Sequence, residues 1–144
     1  MRSCLAALLA VPALLAAQRP QPEARVDLIH STVSALHVGA GLTQALGNYA
    51  RVGVVGSLGV AGDSAVRGEW RGDLLARITL DPFRRHRFGF SFGGGLSVHR
   101  RAWLLAIAEV EGPSWRGMTM AAQAGVGGGY RAGLILRRAI DGRR

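Results

Sequence analysis

The sequence predicts an all-β fold, an antiparallel up-and-down meander that closes into a small β-barrel of six to eight strands. Apolar residues alternate with polar residues or glycine along most of the chain, which is the period of a strand and not of a helix. Short turns separate the alternating runs, so that consecutive strands can pair as hairpins. Closure of such a meander into a barrel also removes the exposed edges of the sheet.

The clearest alternation lies between Arg67 and Val98, where two runs flank a turn at Asp81–Arg85. The first run has an apolar face and a largely charged face: Trp70, Gly72, Leu74, Ala76, Ile78 and Leu80 against Arg67, Glu69, Arg71, Asp73, Leu75, Arg77 and Thr79. In the second run the apolar face contains Phe88, Phe90, Phe92, Gly94, Leu96 and Val98. The pattern fits either a soluble sandwich that buries its apolar face or a membrane barrel that turns that face outward to lipid.

The remaining runs give four further strands, Ser34–Ala45, Tyr49–Ala61, Ala102–Glu111 and Met118–Arg137. A strand at Arg25–Val33 and a division of the last run at Gly127–Gly129 would raise the count from six to eight.

The run Ala102–Glu111 is the least regular, because its ten residues are equally apolar when they are read as a helix. As a strand with Glu109 and Glu111 inward, it places Trp103, Leu105 and Ile107 on the interior side. We expect Gly112–Ser114, which follows, to form a turn.

The N-terminal residues have the features of a secretory signal peptide, which we assign to residues 1–17. A short basic start precedes the apolar run Leu5–Ala17, which is too short to span a bilayer as a helix. A buried N-terminal helix is the alternative. We divide the rest of the chain into a polar leader with two prolines at 18–32, a barrel domain at 33–138 and a basic tail at 139–144. Because the single cysteine, Cys4, lies in the signal peptide, the mature chain has no disulfide or thiol chemistry.

The charge is strongly positive, with a formal net charge of +9, and all eighteen basic residues are arginine. Such a balance suits nucleic acid or anionic lipid, and for an exported chain lipid is the expected partner. The arginine-rich turns at Arg84–Arg87 and Arg100–Arg101 are candidate contacts for lipid phosphates, although they are equally compatible with simple solvation.

Several segments resemble the small outer-membrane β-barrel proteins of Gram-negative-type bacteria. The segments that carry the likeness are 80–84, 92–98 and 127–133, within a stretch from Val33 to Arg138 that has ten-residue alternating strands, inward glycine and short turns. The chain departs from this family in two ways. It continues to Arg144 without the usual terminal aromatic residue, and its loops on the extracellular side are short.

The resemblance implies an outer-membrane location, with apolar residues facing lipid and Trp70, Phe88, Trp115 and Tyr130 near the membrane interfaces. The interior would then hold a lumen charge network of Arg51, Glu69, Arg71, Asp73, Arg77, Glu109 and Arg131, joined by Glu111 and Gln123. Buried charges must be paired to be tolerated, and a barrel of this size is filled by its side chains, so we expect no open pore. The predicted function is a structural or envelope role without enzymatic activity.

Two alternatives belong to other functional classes. A soluble periplasmic barrel of the lipocalin type would enclose an apolar ligand and would place Phe88, Phe90 and Phe92 inside. A lipid-modifying enzyme would need a histidine that activates a hydroxyl near the rim, for which the candidates are Ser97, His99, His37 and Glu109.

We expect no cofactor and no metal. The histidines His30, His37, His86 and His99 lack ligand spacing, and His86 stands among arginines that repel a cation. The glycine runs at 93–95 and 127–129 are not phosphate loops, because no helix and no lysine follow them. Close packing or strand curvature explains these glycines better.

Overall fold

A computed structural model describes residues 20–62, 65–80 and 87–138, and these residues form a closed barrel of eight antiparallel strands. The strands are β1 Gln21–His30, β2 Ser34–Leu46, β3 Ala50–Ala61, β4 Arg67–Thr79, β5 Gly89–Val98, β6 Ala102–Trp115, β7 Met118–Val126 and β8 Tyr130–Arg138. The predicted all-β meander is therefore confirmed. The predicted signal peptide, the turn at 81–85 and the basic tail lie outside the described residues.

Each strand pairs with its neighbour in the chain, and β1 pairs with β8 to close the barrel. We call the end where β1 begins and β8 finishes the terminal end, and the opposite end the far end. The far end holds the connections 31–33, 62–66, 99–101 and 127–129, and the terminal end holds 47–49, 80–88 and 116–117. Sequence order and spatial order are thus the same around the whole barrel.

The barrel begins earlier in the chain than its sequence boundary at residue 33. Within the segment 18–32, which we assigned to a polar leader, residues 21–30 form β1 and therefore belong to the barrel. Proline suggests a loop because it cannot donate a ladder hydrogen bond, but it is tolerated at the start of a strand. Pro22 is opposite Leu42 of β2 and precedes the first pair that β1 makes with β8, Glu23 with Arg137.

The three glycines at 127–129 divide the last run into β7 and β8, which confirms the eight-strand alternative. Their φ angles are 147°, 70° and 153°, a conformation that L side chains rarely adopt. A Cβ atom on Gly128 would also lie 3.0 Å from the ring of Trp103. The turn therefore depends on glycine both for its backbone and for its contact with the indole.

The irregular run from Ala102 is a strand and not a helix, and it is longer than predicted. Leu105, Ile107, Glu109 and Glu111 are buried, as the strand interpretation requires. The expected turn at Gly112–Ser114 is wrong, because β6 continues to Trp115 through a register shift between Glu111 and Ser114. An extra residue of this kind is a β-bulge, which the alternation of the sequence does not reveal.

The barrel has a polar interior and an apolar exterior. Among the described residues, eighteen polar or charged residues are buried, against seven hydrophobic ones, and most large hydrophobic side chains are exposed. A small apolar cluster of Val55, Leu75, Leu105 and Ile107 occupies part of the interior. Within the same residues, no helix is long and apolar enough to cross a membrane.

Inward-facing glycines make room for the interior side chains. A Cβ atom on Gly133 would lie 2.1 Å from a carboxylate oxygen of Asp27, which is completely buried. The outward-facing Gly56 has no atom within 4 Å of the same position. A side chain at position 133 would therefore collide with Asp27 inside the barrel, whereas a side chain at position 56 would meet no neighbouring atom on the outer face.

We predict that Gly133→Ala destabilises the barrel by about 1–3 kcal/mol, the usual cost of overpacking a filled interior. Gly56→Ala is the matched control, and we expect it to be neutral or stabilising, because alanine in a strand loses less backbone entropy on folding than glycine. Urea unfolding of the two purified variants, monitored by tryptophan fluorescence, measures the change in the free energy of unfolding for each. Equal stability of the two variants would contradict the tight packing of Gly133 against Asp27.

Candidate functional site

The lumen contains equal numbers of opposite charges. Among the described residues, the charged side chains of the inner face that are buried or half-buried comprise six arginines and six carboxylates: Arg25, Arg51, Arg71, Arg77, Arg131 and Arg137 with Glu23, Asp27, Glu69, Asp73, Glu109 and Glu111. The rest of the sequence has twelve arginines and three aspartates, which give the whole formal charge of +9. The interior is therefore neutral in sum, and the positive charge belongs to the remainder of the chain.

One group of lumen charges, the Glu23–Glu109 cluster, consists of Glu23, Glu109, Arg77 and Arg137. Arg137 donates two hydrogen bonds to the carboxylate of Glu109 and a third, of 3.0 Å, to Glu23. Arg77 lies 3.4 Å from Glu23 and 3.5 Å from Glu109. The hydroxyl of Thr43 donates a further bond of 2.8 Å to Glu23. Within this cluster, each carboxylate therefore contacts the same two guanidinium groups.

A second group, the Asp27–Asp73 cluster, consists of Asp27, Asp73, Arg25, Arg71 and Arg131. Asp27 contacts all three guanidinium groups, with Arg25 Nε at 2.8 Å and Arg131 Nη2 at 3.1 Å. Asp73 contacts Arg131 at 2.9 Å and Arg71 at 3.2 Å. This cluster contains three positive and two negative groups, so it carries an excess positive charge.

Gln123 and Arg25 join the two clusters. Arg25 donates a hydrogen bond to the side-chain oxygen of Gln123, and the amide nitrogen of Gln123 donates to Glu109 at 3.4 Å. Arg25 also lies 3.7 Å from Glu23. The ion pairs therefore form one continuous network across the middle of the lumen, from β1 to β4, β6 and β8.

Two further pairs extend the charges toward the ends of the barrel. Arg51 lies 3.2 Å from Glu111 on the terminal side. Glu69 lies 3.3 Å from Nε2 of His99 at the far end, where both side chains are partly exposed. All seven residues of the predicted network, Arg51, Glu69, Arg71, Asp73, Arg77, Glu109 and Arg131, thus face inward. Six of them lie within ion-pair distance of an opposite charge, and Glu69 lies within that distance of the His99 ring.

The predicted network lacked four members that the structure adds, Glu23, Arg25, Asp27 and Arg137. Three of them lie in β1, which the prolines at 20 and 22 led us to assign to a leader. Their signal was the alternation of Glu23, Arg25 and Asp27 with Ala24, Val26 and Leu28. Asp27 is the most consequential omission, because its carboxylate is completely buried and three arginines contact it.

None of the described hydrogen bonds joins one candidate catalytic residue to another. The Ser97 hydroxyl donates to Asp73 at 2.6 Å. His99 contacts the carbonyl oxygen of Trp70 through Nδ1 and Glu69 through Nε2. Glu109 belongs to the Glu23–Glu109 cluster. An activated hydroxyl needs a histidine within hydrogen-bond distance, and Ser97 has a carboxylate in that place.

A cavity of about 570 Å³ lies at the far end, and we call it the far-end vestibule. Its lining includes Arg67, Arg71 and Trp103, together with the three candidates His37, Ser97 and His99. The ring of His37 rests against Gly59, where a Cβ atom would come within 2.6 Å of a ring carbon. His37 is 3% exposed and lies beside the network without an ion pair of its own among the described contacts.

The structure places the other candidate sites as follows. In the described part of the chain, no three histidine or acidic side chains are grouped in a way that could hold a metal ion. Arg100 and Arg101 are exposed in the connection between β5 and β6. Of the turn Arg84–Arg87, the structure describes only Arg87, which is also exposed.

We predict that Asp27→Asn destabilises the barrel by about 3–5 kcal/mol, because it removes the carboxylate that three buried guanidinium groups share and leaves Asp73 as the one carboxylate of that cluster. Glu69→Gln is the control, since its pair with His99 is partly exposed and such pairs contribute about 0–1 kcal/mol. Urea unfolding of the two purified variants, monitored by tryptophan fluorescence, measures the free energy of unfolding of each. A loss of stability in Asp27→Asn no greater than in Glu69→Gln would contradict a buried network centred on Asp27.

Comparison with known proteins gives no further assignment. The chain matches no protein-family model, and a search of curated proteins found no match either. The interpretation of function therefore depends on the geometry of the barrel.

Proposed function

We propose that this chain is an integral outer-membrane β-barrel protein with a structural role in the cell envelope and no enzymatic activity. The observation that carries the proposal is the inverted distribution of side chains, with paired charges inside and hydrophobic residues outside. A membrane barrel faces lipid with apolar residues and fills its lumen with polar ones.

The hydrophobic exterior favours a lipid environment over water. Leu58, Leu74 and Leu104 expose 72%, 60% and 81% of their surface on neighbouring parts of the wall. Soluble monomers rarely expose contiguous apolar patches of more than a few hundred Å². A wall that is apolar on all sides of the barrel is stable only where lipid or detergent covers it.

The aromatic residues are placed near both ends of the barrel. Tyr49, Phe88 and Trp115 lie at the terminal end, and Trp70 and Tyr130 lie toward the far end, all with more than half of their surface exposed. Membrane barrels have such aromatic girdles at the two interfaces. The strands contain 9 to 14 residues, which is enough for tilted strands to cross a bilayer, since about 9–11 residues suffice.

The exposed arginines flank the apolar wall on both sides. Arg67, Arg100 and Arg101 lie at the far end, and Arg87, Arg116 and Arg138 lie at the terminal end. Arg116 sits over the ring of Trp115 at 4.7 Å, which places a cation beside an interfacial aromatic. Guanidinium groups bind phosphate through paired hydrogen bonds, so these positions suit anionic lipid head groups.

A structural role suits the lumen and the connections. Ion-pair networks cross the middle of the lumen, which supports a filled barrel and not an open channel. The far-end connections contain only three to five residues, which gives little surface for an adhesin or a receptor.

The lipocalin-like alternative required Phe88, Phe90 and Phe92 to line an interior cavity. Their exposed fractions are 53%, 50% and 48%, and they lie on the outer wall. The lumen contains mostly polar and charged side chains where this alternative requires apolar ones. The residues that were to bind an apolar ligand are therefore on the wrong face for that function.

The experiment that tests the proposal is fractionation of the expressed protein, followed by electrophoresis in detergent with and without boiling. We expect recovery in the outer membrane and a mobility that changes on heating, because a closed barrel stays folded in detergent until it is heated. Recovery as a soluble periplasmic protein whose mobility does not change on heating would refute the proposal.

A further inference from the structure

We propose that the far-end vestibule binds a small soluble organic oxyanion, a carboxylate or phosphate monoester joined to an apolar body. His37 and Arg71 would bind the oxyanion at the floor, and Trp103 would contact the apolar body at the wall. The inference rests on the geometry of the closed barrel and does not depend on insertion into a membrane.

The floor of the vestibule has polar atoms without partners. Arg71 and His37 are 4% and 3% exposed, and Nη1 of Arg71 and Nδ1 of His37 have no hydrogen-bond partner among the described atoms. Both residues line the vestibule. Each of these groups can act as a donor, and an unsatisfied buried donor is costly. An anion is the ligand that accepts from both.

The charge around the vestibule is positive. Arg71 belongs to the Asp27–Asp73 cluster, in which three guanidinium groups face two carboxylates. Arg67 and Arg100 line the vestibule above it. Glu69 is the one carboxylate among the described lining residues, and His99 lies 3.3 Å from it. The site therefore attracts anions, and its single acid already has a partner.

The walls add an apolar surface. Trp103 lines the vestibule and packs against Gly128, and Ile29, Val33 and Ala35 line the opposite side. The volume of about 570 Å³ lies in the range of small-molecule sites, about 300–1,000 Å³. A bare inorganic ion would occupy a small part of this space. The ligand that uses both surfaces has an anionic group and an apolar ring or short chain.

A soluble ligand fits the position better than a lipid head group. His37 faces the interior from β2, and the strand wall separates it from lipid on the outer face. A head group at the rim can contact Arg100 in the connection after β5. Dependence of binding on His37 therefore distinguishes an interior ligand from a lipid phosphate at the rim.

The test is a titration of the folded full-length chain with phenyl phosphate, in which the fluorescence of Trp103 reports binding. Trp70→Phe and Trp115→Phe remove the other two tryptophans and make Trp103 the only reporter. In this background we compare His37→Leu with the double change Arg67→Gln and Arg100→Gln. Arg101→Gln is the matched control, because Arg101 is the neighbour of Arg100 but does not line the vestibule. Circular dichroism and the heat-dependent mobility confirm that each variant is folded.

We expect saturable binding of phenyl phosphate that is about tenfold weaker or more in His37→Leu and in the double arginine variant, since each loses charged or buried hydrogen bonds. Arg101→Gln should bind like the parent, and inorganic phosphate and phenol should each bind more weakly than phenyl phosphate. Absence of saturable binding at millimolar concentrations would overturn the inference. So would unchanged binding in His37→Leu, which would move the anion to the rim.

Discussion

The carboxylate of Asp27 is completely buried, and three guanidinium groups from three strands surround it. A desolvated charge is tolerable only when opposite charges and hydrogen bonds compensate it. Arg71 reaches it from β4 and Arg131 from β8, so the cluster ties the closing strand to two other parts of the wall. Because side chains alternate between the two faces of a strand, an inward polar set requires an outward set, which here is apolar. The same alternation of side chains along each strand therefore places the ion pairs inside the barrel and the hydrophobic residues outside it.

The interior is not uniformly charged. Val55, Leu75, Leu105 and Ile107 form an apolar cluster from β3, β4 and β6, while β1 and β8 contribute five of the twelve lumen charges. The ion-pair network crosses the middle of the lumen, and the far-end vestibule lies to one side of it. This arrangement separates a filled structural centre from an accessible cavity at one end. The structural role and the ligand site that we propose thus occupy different parts of the lumen.

Much of the fold could be predicted from the sequence, because the period of two is a local property. The shared face of Arg71, Asp73 and Arg77 follows directly from alternation along β4. The inward direction of that face was an implication of the resemblance to outer-membrane barrels. The phase of β6 also follows once Glu109 and Glu111 are set inward. The strand β1 was harder to predict, since the prolines at 20 and 22 are typical of a flexible leader and the strand has only three charged residues that alternate.

The partners of these charges could not be predicted, because pairing across the lumen depends on the register and curvature of the closed sheet. Asp27 and Arg131 are 104 residues apart in the chain. Ser97 illustrates the same limit: its distance of two residues from His99 suggested a catalytic pair, whereas the hydroxyl contacts Asp73 on the neighbouring strand. The vestibule likewise combines residues from several connections whose proximity exists only after closure.

The most direct test of an outward apolar wall is spin-label accessibility on two adjacent residues of β4, Leu74 and Leu75, in lipid vesicles. The first is 60% exposed and the second 1%, so single cysteines at these positions in a Cys4→Ser background report the two faces of one strand. We predict that the label at position 74 collides readily with dissolved oxygen and poorly with a water-soluble nickel complex, and that the label at 75 is protected from both. Strong collision of the label at 74 with the nickel complex would contradict a lipid-facing wall.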